Sequence, residues 1–193
     1  MARVQGSANR LYASVLAASF LFWLGGSAIA ISIVTRTDTT PFYSLSEIMT
    51  AKRDGVLPAE VHGGPSKSAT AGTVLAPLRL PSRVGGGRLA PFEPRADGRA
   101  ATRMVLLFNA RYLSARAACR EPARTGARRM DGKLEVFAVL CHGGRYFSQA
   151  HLRDSAVLGE TDPRYARSMM QLFLALMPSK GEAERDNDDA GRN

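Results

Sequence analysis

"KLEVFAVLCHGGRYFSQAHL", residues 133–152, reads as two apolar strands around a glycine turn, and it decides the fold class. Lys133 to Cys141 and Arg145 to Leu152 are each of strand length and dominated by apolar and aromatic side chains. His142-Gly143-Gly144 between them supplies the backbone freedom that a tight hairpin needs. Upstream, "MVLLFNA", residues 104–110, is a compact apolar run ending at Asn109, which predicts a third strand. "LSARAACR", residues 113–120, reads as a short helix with Ser114 near its start and Pro122 beyond its end. Downstream, Asp162 is expected as a helix N-cap and Pro163 as the first helical residue. Tyr165, Ala166, Met169, Met170, Phe173, Leu174 and Met177 follow on one broad face at helical spacing, until Pro178 stops the helix. The order β-α-β-β-α over residues 103–178 predicts a small α+β domain with one sheet face covered by helices.

A core of about 75 residues is marginal on hydrophobic burial alone. That gives weight to the chain's two cysteines. Cys119 closes the short helix and Cys141 the first hairpin strand. In an oxidising compartment a bond between them would close a loop of about 20 residues, worth on the order of 3 kcal/mol. The plainer alternative is two separate buried thiols.

The compartment is read from the other end of the chain. "LYASVLAASFLFWLGGSAIAISIV", residues 11–34, runs for 24 residues without a charge. As a helix it would reach roughly 36 Å, against about 30 Å of bilayer hydrocarbon. Its eleven Leu, Ile, Phe and Val residues supply roughly −3 to −6 kcal/mol of insertion free energy. A retained transmembrane anchor, or signal-anchor, fits these numbers. A cleaved signal fits too: Arg3 and Arg10 are basic, Leu11 to Leu24 is apolar, Gly25-Gly26 breaks the helix, and Ala28-Ile29-Ala30 is a cleavage pattern. Ile31 to Val34 prolong the apolar run past that site, which favours the anchor. Either way Thr35 onward is exported. In a bacterial cell this means an inner-membrane anchor with a periplasmic domain, or release to the periplasm after cleavage following Ala30.

Residues 35–102 are expected to be a short helix, 45–54, followed by a Pro/Gly/Arg-rich connector with at most an edge strand near Thr73 to Leu80. Ser44 and Glu47 fit a capping box, and Gly55 the position past the helix end. Residues 179–193 read as a disordered acidic tail. The formal charge of +9 is unevenly placed. Residues 79–129 hold twelve arginines against Glu93, Asp97 and Glu121, while the tail from Gly181 has five acids and two arginines. Arg116, Arg120, Arg124, Arg128 and Arg129 are the candidate contacts to an anionic surface, either lipid head groups or an acidic partner protein. Nucleic acid is not expected, because export removes it and only Phe92, Phe108 and Tyr112 in this band could stack on bases. A purely compositional origin competes with all of this, since Arg outnumbers Lys 22 to 4.

Enzyme chemistry finds little support. Cys141 and His142 are adjacent in a strand and point to opposite faces. Ser148, His151 and Asp154 have the residue types of a triad, but no G-x-S-x-G elbow surrounds the serine. His62, His142 and His151 are scattered without metal-ligand spacing, and "GGGR" at 85–88 lacks the Lys-Ser/Thr of a phosphate loop. No metal, cofactor or catalytic residue is therefore assigned. The sequence points to a non-enzymatic, membrane-anchored, envelope-facing accessory or binding protein. Two alternatives stand beside it. One is a small exported hydrolase using Ser148 and His151. The other is a cytoplasm-facing Arg-rich protein with reduced cysteines, binding anionic lipid or nucleic acid.

Overall fold

The computed structural model describes residues 32–93, 102–125, 133–157, 159–179 and 181. The apolar segment up to residue 31, on which the anchor and signal expectations rest, Arg128, Arg129 and the acidic tail beyond 181 lie outside the described residues. One six-stranded mixed sheet organises the rest, in the order β1-β6-β5-β4-β2-β3. Its strands are β1 Ser32–Thr39, β2 Val56–His62, β3 Arg88–Pro91, β4 Thr102–Phe108, β5 Leu134–His142 and β6 Arg145–Asp154. Four helices accompany it: α1 Leu45–Ala51, α2 Ala71–Leu75, α3 Ala115–Arg120 and α4 Tyr165–Leu176. The fold is α+β, and β4-α3-β5-β6-α4 reproduces the expected order.

The hairpin forms as its sequence requires. His142 pairs with Arg145, leaving Gly143 and Gly144 as a two-residue turn, with Gly143 at φ 56°. β4 and β5 are central strands, and every residue of β4 is buried. An alternating pleat inside such a run places apolar side chains on both faces, so both faces must be covered. Met104, Leu106, Phe108, Val136, Ala138 and Leu152 pack with Ile48 of α1, Val74 and Leu75 of α2, and Leu172 and Phe173 of α4. On the opposite face Val105, Leu107, Phe137 and Val139 pack with Ala115, Ala118 and Cys119 of α3. The expectation of one covered face is corrected accordingly: α3 covers the second.

The connector expectation for residues 35–102 is corrected more heavily. Up to Glu93 this stretch supplies β1, α1, β2, α2 and β3, and with them Leu57, Ala59, Val74, Leu78, Val84 and Leu89 of the core. The apolar run of 11–34 is also shortened, because Ser32, Ile33 and Val34 pair with Asp154, Arg153 and Leu152 in the sheet. α1 ends at Ala51, and Ser44 makes no capping bond to its backbone; its Oγ lies 2.6 Å from Ser46 Oγ instead. Asp54 and Gly55 then form a left-handed two-residue turn, at φ 51° and 73°, closed by paired bonds between Arg53 and Val56. Where an edge strand was expected near Thr73 to Leu80, α2 forms instead. Thr70 Oγ1 accepts from Thr73 N–H at 3.2 Å, and Thr73 Oγ1 accepts from Thr70 N–H at 2.9 Å. Only Arg79 and Leu80 pair, with Arg88 and Gly87 at the start of β3.

α3 keeps its expected cap, Ser114 Oγ accepting from Ala117 N–H at 3.3 Å. α4 starts two residues later than expected. Asp162 caps the preceding turn by accepting from Arg164 N–H at 2.9 Å. Its buried face is also rotated from the expected one: Ser168, Leu172 and Leu176 point inward with Tyr165, Met169 and Phe173, while Leu174 is exposed. Cys119 and Cys141 are joined in a disulfide with Cα atoms 5.5 Å apart. Their residues are 2% and 0% exposed, so the bond sits beneath α3 against the sheet.

Candidate functional site

At the end of the sheet where β5 turns into β6, two neighbouring cavities of about 440 and 290 Å³ share Glu47 and His142. Remote segments build this cleft. α1 contributes Glu47 and Thr50, β2 contributes Val56 and Pro58, and the end of β3 contributes Ala90, Pro91 and Phe92. The hairpin contributes His142, Arg145, Tyr146 and Phe147, and Phe42 stands at the rim with 74% of its surface exposed. His142 is held from two sides, its Nδ1 2.9 Å from Thr102 Oγ1 and its ring stacked on Phe147 at 5.9 Å. Glu47, Glu93, Arg53 and Arg145 form no ion pair or hydrogen bond through their side chains with another described residue. The cleft therefore offers charges of both signs that have no partner among the described residues, around aromatic and aliphatic walls, the kind of lining that orients a ligand by its polar groups while burying its apolar part.

One buried cation supports this cleft from below. Arg103, 8% exposed, donates from Nε to Glu60 Oε2 at 2.8 Å, from an Nη to the Cys119 carbonyl at 2.8 Å, and from the other to the Gly143 carbonyl at 3.0 Å. Its guanidinium lies 5.1 Å from the centre of the Phe92 ring. A planar fork with donors on three nitrogens reaches three acceptors on separate elements at once, whereas a lysine concentrates its donors on a single nitrogen. It ties β2, β4, the end of α3 and the hairpin turn together, and positions Phe92 in the cleft wall.

The Ser148, His151 and Asp154 side chains of the alternative hydrolase reading do not come together. Ser148 Oγ donates to the Leu176 carbonyl at 2.6 Å, and Asp154 accepts from Ser168 Oγ at 2.6 Å, both on the α4 face. His151 lies on the opposite face, edge-on to Phe137. A different array forms around it. Thr35 Oγ1 is 3.0 Å from Nδ1, and Glu135 Oε1 is 3.1 Å from Nε2 and 3.2 Å from Arg153. Hydroxyl, imidazole and carboxylate are thus in line, but neither of the two cavities touches them. The sequence signal for this array was weak, because Thr35 and Glu135 are 100 residues apart and only a β-bulge between Val34 and Arg36 brings Thr35 to the ring.

The arginine band is dispersed. Arg116 and Arg120 are exposed on α3, four residues apart, whereas Arg124 is exposed but held by Glu121 at 2.7 Å. Arg103 is internal, and Arg79 donates to the Ala76 and Leu78 carbonyls at 2.9 and 2.7 Å. Among the described residues, no group of three His, Cys, Asp or Glu side chains is placed to hold a metal ion, and no helix is long and apolar enough to cross a membrane. Comparison with protein-family models, with curated proteins and with solved structures returns no match.

Proposed function

We propose that the chain is a non-enzymatic, membrane-anchored, envelope-facing binding protein, whose partner sits in the cleft between α1, β3 and the β5–β6 turn. The observation behind this is the buried Cys119–Cys141 disulfide. Such bonds persist in oxidising compartments, and the apolar segment ahead of Ser32 provides the route to one. The non-enzymatic part draws on the separation of Ser148 from His151 and on the satisfied partners of each. Among the described residues the cleft holds charges without partners, and the Thr35–His151–Glu135 array lies outside it, an arrangement that suits recognition better than bond cleavage.

The test is to block free thiols in intact cells and then compare the mass of the chain before and after reduction. An unlabelled pair on a full-length chain supports the anchored reading. The same result on a chain beginning at Ile31 replaces anchoring with secretion. Two labelled thiols on an uncut chain overturn the proposal and favour the cytoplasm-facing alternative.

A further inference from the structure

The smaller of the two cavities differs from the larger in what lines it. Phe42, Glu47, His142, Arg145, Tyr146 and Phe147 surround its 290 Å³, so four of the six side chains are aromatic. The larger cavity, apart from the shared His142, has Phe92 as its one aromatic residue among the described residues. Local packing fixes the smaller lining. Phe147, 9% exposed, lies against the His142 ring, whose Nδ1 is already taken by Thr102. Tyr146 donates its hydroxyl to Asp38 Oδ2 at 3.4 Å, which adds a negative charge behind that ring. Glu47 and Arg145 are both exposed and line this same cavity, yet neither pairs with the other or with any other described residue.

A ligand entering here meets two opposite charges and a set of rings. A neutral apolar molecule leaves both charges without partners. A simple anion suits Arg145 but faces Glu47, and a simple cation suits Glu47 but faces Arg145. One small molecule that carries both charges satisfies both. The rings select the kind of cation. A primary ammonium brings three N–H donors, and Phe42 and Phe147 have no acceptor to receive them. A fully methylated ammonium brings no donor, presents methyl groups that rings bury, and is attracted to their faces. We propose that this cavity is a subsite for a small zwitterion of the betaine class, with its methylated ammonium toward Glu47 and the rings and its carboxylate toward Arg145. This rests on the cleft reading and names the ligand class that the cleft takes. Asp38 behind Tyr146 favours the cationic end on the ring side.

The experiment is isothermal titration of the full chain, held in uncharged maltoside micelles, with trimethylglycine and three comparators. The tert-butylacetate anion has the same shape with carbon in place of nitrogen, tetramethylammonium lacks the carboxylate, and glycine lacks the methyl groups. The proposal expects trimethylglycine to bind about tenfold or more tighter than each comparator. Glu47→Gln and Arg145→Gln, both at exposed positions, should each weaken it about fivefold or more with the circular dichroism spectrum unchanged. Equal or tighter binding of any comparator, no binding of trimethylglycine tighter than about 10 mM, or unchanged affinity in the two variants would overturn the proposal. Each of those results leaves the cleft open to a protein partner, so the binding-protein reading survives them. Two labelled thiols in the cellular assay would overturn that reading instead.

Discussion

Replacing Arg103 by Met should destabilise the domain more than any exposed arginine substitution. The aliphatic stem of Met replaces the packing, but the carbonyls of Cys119 and Gly143 lose their donors and Glu60 loses its cation. Hydrogen bonds to a charged group contribute about 1.5 kcal/mol or more each, so three give roughly 4–5 kcal/mol. Breaking a buried ion pair on one side costs about 3–5 kcal/mol. Glu60 retains some contact with water, its side chain being 25% exposed, which puts the expectation at the lower end, about 3 kcal/mol. With a urea m-value of about 2 kcal/mol/M this moves the unfolding midpoint by about 1.5 M, followed by circular dichroism. Arg103→Lys should recover less than half of the loss, because a lysine concentrates its donors on a single nitrogen. Combining Arg103→Met with Glu60→Gln should reveal a coupling of at least about 1 kcal/mol. A loss under 1 kcal/mol for Arg103→Met, or purely additive costs, would refute the view of this side chain as the link between the sheet, α3 and the hairpin turn.

Removing the disulfide as Cys119→Ala, Cys141→Ala opens a loop with a sequence separation of 22. This should cost about 3 kcal/mol, or about 6–12 °C in calorimetric Tm, and a shift under 2 °C would contradict that account. Tyr165 provides a pH signature. Burial, reinforced by the charge of Glu160, pushes its phenol well above the usual tyrosine value. The folded state therefore favours the neutral phenol. That contribution is complete below the unfolded value of about 10 and is lost as pH rises toward the folded one. Tyrosinate absorbance should show one of the five tyrosines ionising only on alkaline unfolding, and Tyr165→Phe should abolish that step.

The parts of the fold that depend on neighbouring residues were legible. The Gly143-Gly144 turn, the Ser114 cap and the strand character of 104–108 each follow from a few adjacent side chains. β2 was hidden by Pro58, which has no N–H for a ladder. It is tolerated because pairing with β4 begins only at Ala59. Gly85 to Gly87 read as linker, yet Gly87, at φ 114°, sits where an added Cβ would collide with the Gly55 carbonyl, so the run is a packing requirement. The failure of the Ser148–His151 pair could have been read in advance, since residues three apart on one strand face opposite ways. The cleft could not. Glu47 and His142 are nearly one hundred residues apart, and nothing local marks either as a wall of the same cavity.

The direction of β1 bears on how the domain would respond to force. Its first residue, Ser32, and its last, Thr39, lie at opposite ends of the sheet, so a pull between Ser32 and the cleft end runs along the strand. The bonds joining β1 to β6 lie perpendicular to that pull. They are loaded together, in shear, rather than opened one after another. An edge strand attached this way resists tension as a unit, and the same strand pulled sideways from Ser32 would peel.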